Sequence, residues 1–207
     1  FTPVMAKAIF DNLKQDEPRN NFLIGIDDDL TGRSLPYGDP IDTTPAGTQQ
    51  CVFWGMGADG TVGANKQAIS MIVENTPLHG QGYFVYSAHK SGGITVSHLR
   101  FGEHPQNSPY QITTADYVAC HTPGYLQKFT QILDPLKENG TFVLNSPWNT
   151  IEELEENLPS YFKRKLAQKK AKFFNINASK IAEDAGLPGR VNMIMQVAFF
   201  KTSKVIA

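Results

Sequence analysis

A chain of 207 residues with 41% apolar side chains is long enough for one large α/β domain or two small ones. Its 19 basic and 20 acidic side chains leave a formal net charge of −1, which excludes a whole-domain field for nucleic acid or a membrane surface, so any anion site must be local. No apolar run has the length of a membrane span, and two cysteines, Cys51 and Cys120, without CxxC spacing exclude a disulfide framework, a cluster or a structural zinc; they read as buried apolar thiols.

In chain order, residues 4–14 predict a helix opened by Thr2 and Pro3 in the cap and first-turn positions. Residues 22–26 form a short apolar run that predicts a strand feeding the polar Asp27-Asp28-Asp29. Residues 31–50, with Pro36, Pro40 and Pro45, predict a long loop. A strand at 51–54 meets a glycine loop at 55–60, and a helix follows over 61–74, with Val62, Ala68, Ile69, Ile72 and Val73 on its apolar side. Further strands are predicted at 81–87, 94–99, 117–120, 141–145 and 172–176. Helices are predicted at 124–136, 151–158, 160–170, 178–185 and 192–204, with Gly140 and Gly186 as C-terminal caps. This alternation predicts a Rossmann-like α/β fold, a mostly parallel sheet with helices on both faces, in a single domain over 1–207.

The sharpest local motif is Gly55-Met56-Gly57-Ala58-Asp59-Gly60, a GxGxxG between a strand and a helix. Glycines let the backbone turn tightly and approach a phosphate, which the free amides of the helix start then bind. A glycine-rich helix start with no ligand is the plain alternative. An NAD site wants an acid at the end of the second strand; residues 81–87 are followed by Ala88, His89 and Lys90 instead. The residues therefore disfavour NAD and leave NADP and coenzyme A open. Lys66, one turn into the helix, is either a mobile cation for a pyrophosphate or a solvated surface lysine. Arg100, read as ending a strand, is either a ligand contact at a strand's carboxyl end or a salt-bridge partner of Glu103.

Extended to Gly55-Met56-Gly57-Ala58-Asp59-Gly60-Thr61-Val62-Gly63-Ala64-Asn65-Lys66, the motif resembles the GxGxDGTVGANK signature of pyruvate:ferredoxin (flavodoxin) oxidoreductases. Four further blocks agree in order and spacing: 25–31, 40–45, 90–102 and 189–196. The resemblance implies a gamma-type domain, a fragment of a longer multidomain enzyme that converts pyruvate to acetyl-CoA; the non-methionine Phe1 suits an excised piece. It implies coenzyme A at this domain, with thiamine diphosphate, Mg2+ and [4Fe-4S] clusters in other domains of the same polypeptide. It further implies a homodimeric enzyme with ferredoxin or flavodoxin as electron acceptor, no nucleic acid or membrane partner, and a cytoplasmic location. Carried over by motif, the coenzyme A candidates are Gly25, Ile26, Gly55, Gly57, Asp59, Gly60, Asn65 and Lys66, joined by Lys90 and Arg100; no residue is assigned a catalytic or metal-binding role. A non-catalytic scaffold, as in the related segment of fungal sulfite reductase flavoprotein subunits, is the alternative, and a stand-alone NADP-dependent reductase a third reading.

The remaining clusters point to structure. Five histidines show no ligand spacing. Asp27, Asp28, Asp29 and Asp42 suit turn formation rather than a cation site. Ser97 and His98 are adjacent in a strand and face opposite sides, which excludes a dyad. Lys163-Arg164-Lys165 and Lys169-Lys170 read as a solvated face, or as a dock for an acidic electron carrier.

Overall fold

The computed structural model describes residues 1–87 and 93–206. Packing divides the chain into two compact units, Phe1–Pro45 and Ala46–Ala207. The first unit holds helix α1 (Pro3–Asn12), with Thr2 at its N-cap and Pro3 in the first turn, as predicted. Beyond it, Asn12 and Arg19 clamp the chain through two 3.0 Å bonds between the Asn12 amide and the Arg19 backbone. The strand predicted over 22–26 does not form. A single bridge joins Leu23 to Ser34, because Gly25 turns the chain out of line with φ +75°.

The second unit is built on strands β1 (Gln49–Met56), β2 (His79–Tyr86), β3 (Ile94–Gly102), β4 (Ala115–Cys120), β5 (Leu136–Asn145) and β6 (Lys172–Ile176). Helices α2 (Thr61–Asn75), α3 (Tyr125–Lys128), α4 (Ile151–Asn157), α5 (Ser160–Gln168), α6 (Ala178–Asp184) and α7 (Val191–Ser203) connect and follow them. The sheet order is β2-β3-β1-β4-β5-β6. β1, β4, β5 and β6 pair in parallel, while β3 pairs antiparallel with both β1 and β2. Five strands thus share one direction and β3 alone opposes them, so the mostly parallel α/β sheet holds.

Alternate residues of β1 feed two apolar cores. Val52 and Trp54 join Leu126, Leu133, Phe142 and Phe162 under α3 and α5. Cys51 and Phe53 join Ala68, Ile72, Met195 and Phe199 under α2 and α7. Helices therefore cover both faces, and the two-residue period of a strand sorts the side chains between them. Cys51 and Cys120 are buried free thiols, as expected; burial raises both, Cys120 to about 12. Asn177 and Thr150 cap α6 and α4, Thr150 in a full capping box with Glu153. Gly186 closes α6 in the left-handed region, as predicted.

Two expectations fail together. The helix predicted over 124–136 ends at Lys128, and Gly140 lies inside β5 rather than after a helix. Residues Ile132, Leu133 and Leu136 remain buried, so the apolar pattern was sound while the backbone was not helical. Pro135 disfavours helix at the residue before it, and its carbonyl accepts from Ala115 to start the β4–β5 pairing. The basic cluster of α5 then takes the carbonyls a helix would have kept: Lys165 donates to Thr130 O at 3.0 Å, and Lys169 to Asp134 O at 3.1 Å and to Leu136 O. Lys165 and Lys170 also pair with Asp134 and Glu138, each at 2.5 Å. Lys165 and Lys169 thus pin a neighbouring segment, while Arg164 and Lys170 stay exposed as a solvated face would have them.

Candidate functional site

The carboxyl ends of parallel strands are where open α/β sheets place ligands, at the point where successive connections leave for opposite faces. β1 leads into α2 over one core, and its parallel neighbour β4 leads into α3 over the other. The glycine turn therefore stands at the switch point of the sheet.

Its geometry explains each glycine. A Cβ on Gly55 would stand 2.5 Å from Thr61 Oγ1, so the strand can lie against the helix start only as glycine. Gly57 donates to Gly93 O at 2.5 Å, bringing β3 alongside the turn. Ala58 and Gly60 hold φ of +71° and +83°, and a Cβ on Gly60 would meet Asn192 Nδ2 at 2.8 Å. Asp59 folds back into the turn: its carboxylate accepts from Met56 N at 2.8 Å and from Thr61 N at 2.7 Å. A carboxylate of the chain thus already fills the innermost anion position, which alters the reading of this motif as an open phosphate loop.

α2 still offers donors. Of its first-turn amides, Thr61 serves Asp59 and Ala64 bonds Gly60 O; among the described residues, those of Val62 and Gly63 are left for an incoming acceptor. An added Cβ on Gly63 would meet no atom within 4 Å, so the approach is open. Lys66 lies one turn on, on the same side as Val62 and Gly63. It is exposed, its Nζ 5.4 Å from the centroid of Phe84. Asn65 points inward, with its Nδ2 buried and without a hydrogen-bond partner among the described residues. Beside the turn, a cavity of about 320 Å³ is lined by Met56, Asp59, Val62, Tyr86, Ile94 and Thr95, among others.

His121 completes the turn from the β4 side. Its Nδ1 shares a 2.9 Å hydrogen bond with Thr61 Oγ1, and its backbone amide donates to Trp54 O at 2.9 Å. Burial lowers its pKa to about 4 although the Asp59 charge opposes the shift. The sequence singled out no role for His121, because Thr61 and His121 are 60 residues apart and only the β1–β4 pairing joins them. From α7, Asn192 donates to Gly60 O at 3.3 Å and Gln196 to Ala64 O at 3.1 Å, which braces the start of α2. The matching 189–196 block is thereby explained.

The structure groups Gly55, Gly57, Asp59, Gly60, Asn65 and Lys66 at one end of β1. Gly25 and Ile26 belong to the first unit. Lys90 lies outside the described residues. Arg100 does not join the turn, and its premise is corrected. It sits inside antiparallel β3, paired with Gln50 at the start of β1, six rungs from the Met56–Ile94 pair; at ~3.4 Å per residue that is about 20 Å. There it is buried, donating to Gln50 Oε1 at 3.2 Å and Ser108 O at 3.3 Å and stacking on Tyr110 at 4.8 Å. The argument against NAD also changes. The strand after α2 is β2, and β3 separates it from β1, so β2 does not occupy the place where a dinucleotide fold carries its ribose acid.

The family model for pyruvate ferredoxin/flavodoxin oxidoreductase matches residues 50–207. The chain is 52% identical over 206 residues to the pyruvate:ferredoxin oxidoreductase of Moorella thermoacetica, matching 100% of the chain but 17% of that protein's length. Among solved structures, the pyruvate oxidoreductase subunit PORC of Thermotoga maritima aligns with a TM-score of 0.59 at 16% identity, over 78% of this chain and 79% of that one. A 2-oxoglutarate:ferredoxin oxidoreductase from Magnetococcus marinus, solved with 2-oxoglutarate, coenzyme A and succinyl-CoA bound, aligns at 0.54 and 16% identity, over 74% of this chain and 24% of that one. These two likenesses establish a shared fold.

Proposed function

Because the chain belongs to the pyruvate ferredoxin/flavodoxin oxidoreductase family, we propose that it is the gamma-type domain of a longer multidomain enzyme converting pyruvate to acetyl-CoA, and that it holds coenzyme A there. The observation that carries the coenzyme A reading is the start of α2. The amides of Val62 and Gly63 face an open approach with Lys66 one turn on, beside the cavity under β1 and β3. A phosphate seated there meets two backbone donors and a cation that can swing from the Phe84 ring. The Asp59 carboxylate keeps that anion on the outer side of the turn by repulsion, while Met56 and Tyr86, both exposed, offer apolar surface to the rest of the ligand. The solved neighbour holding coenzyme A adds weight to the reading. Gly25 and Ile26 enter it on the family motif alone, and Lys90 as the basic residue that follows residues 81–87. Arg100 is assigned to the packing of β1 and β3.

In this reading thiamine diphosphate, its magnesium ion and the [4Fe-4S] clusters reside in other domains, electrons leave to ferredoxin or flavodoxin, and the enzyme is a homodimer in the cytoplasm. The scaffold alternative draws no support from the relatives, which carry the names of pyruvate oxidoreductases. Calorimetric titration of the chain with coenzyme A and with NAD tests the proposal. Binding of coenzyme A, weakened by inorganic pyrophosphate, is expected; tighter binding of NAD would overturn it.

A further inference from the structure

The block at residues 25–31 has a feature the coenzyme A reading leaves unused. Leu30 is fully exposed, at 102% of its reference area, at the apex of a loop that has closed all around it. One carboxylate does most of the closing. Asp29 accepts from Thr31 N at 2.9 Å, Thr31 Oγ1 at 2.5 Å, Arg33 N at 2.7 Å and Ser34 N at 2.8 Å. Ser34 Oγ donates across the base to Ile26 O at 3.0 Å, and Leu23 and Leu35 tie the two ends together through Leu23 N to Arg33 O and Leu35 N to Leu23 O. Ile26, at the base, is also exposed, as are Asp27 and Asp28.

Single exposed apolar side chains are common on protein surfaces, and this chain has others, Leu13 and Ile151 among them. Here the backbone is committed to a shape that presents Leu30 outward, so the ordering entropy of docking is already spent. A partner is at hand, since the chain matches only 17% of the length of its Moorella relative. We propose that residues 26–34 are a preorganised docking finger, whose Leu30 seats in an apolar socket on another domain of the same polypeptide, with basic side chains at the socket's rim facing Asp27 and Asp28. The inference rests on the chain being part of a longer protein; it shares Ile26 with the coenzyme A reading, whereas Leu30 has no part in that reading.

The test uses the full-length polypeptide. A photo-cross-linking residue at position 30 should join to a peptide from outside residues 1–207 of the same molecule. Leu30→Asp should raise tryptic cleavage after Arg33 at least tenfold, and Leu30→Met should leave it unchanged. A cross-link to residues 46–207 would overturn the proposal by making the finger internal to this chain. A cross-link between two copies, seen as doubled mass, would overturn it in favour of self-association. Unchanged cleavage in Leu30→Asp, with no cross-link, would show that nothing covers the leucine. Coenzyme A binding should be retained in Leu30→Met, so failure of the coenzyme A reading is separately visible.

Discussion

Gly60→Ala tests the construction of the glycine turn. Gly60 holds φ +83°, a left-handed conformation that costs an alanine about 1–2 kcal/mol. The new Cβ would lie 2.8 Å from Asn192 Nδ2. That amide ends a side chain and can swing away, but doing so breaks its bond to Gly60 O, worth about 1 kcal/mol. The whole loss should be about 2–3 kcal/mol, a drop in the midpoint of denaturant unfolding with the slope unchanged. Asn192→Ala alone should lose about 1 kcal/mol, and the double variant should be no worse than Gly60→Ala, since the same hydrogen bond is lost in both. The coupling is therefore about 1 kcal/mol. Additive losses, or a Gly60→Ala midpoint within error of the parent, would refute the account of why this position is glycine.

Lys66→Ala, in the full-length enzyme, should raise the Michaelis constant for coenzyme A by about one to two powers of ten, the loss of one charge-assisted contact of roughly 1.5–3 kcal/mol; steady-state kinetics should show the coenzyme A-independent step on pyruvate nearly untouched. His98 and His121 are both buried with their pKa lowered to about 4, in each case chiefly by burial. The unfolded chain binds their protons first, near pH 6.5, so stability should fall as pH drops from about 7 towards 4, by about 3 kcal/mol for each histidine, and His121→Gln should flatten the pH profile of thermal melting. Lys169→Ala frees the Asp134 and Leu136 carbonyls; a loss of about 1–2 kcal/mol in unfolding free energy is expected, against a near-zero change for Arg164→Ala.

Local chemistry was legible where the chain decides its own backbone. The run at 172–176 forms β6 over the same residues, and Pro3 opens α1 in its first turn, although the Thr2 hydroxyl makes no capping bond among the described residues. Order in the sheet was not legible. Residues 81–87 and 94–99 flank Ser91-Gly92-Gly93, a hairpin signal that the alternation of strands and helices masked, and Ser87 N closes that hairpin on Ile94 O at 2.9 Å. Once β3 is antiparallel, Arg100 moves to the opposite end of the strands from the glycine turn. The 124–136 segment shows the other limit. Its apolar spacing is helical and its apolar side chains are buried, yet Pro135 and two lysines, Lys165 of α5 and Lys169 at its C-cap, decide its backbone, and those lysines lie more than 30 residues away. Asp59 shows a third, because a glycine motif says where a backbone can bend without saying which anion fills the bend.

The position of β1 has a consequence for synthesis on the ribosome. It is a central strand, yet its two neighbours are β3 and β4, and the second ends at Cys120, 64 residues beyond Met56. The strand Gln49–Met56, six of whose eight residues become buried, has no hydrogen-bonding partner in the sequence just made. At about 5–20 residues per second, roughly 3–13 s pass between completing β1 and completing β4. Until β3 is complete at Gly102 both edges of β1 lack a partner, and from then until β4 is made only the β3 edge is paired. A pause placed after β1 has emerged from the ribosome, but before β3 and β4 have, should therefore raise the yield of aggregates, whereas a pause after all three strands have emerged should not.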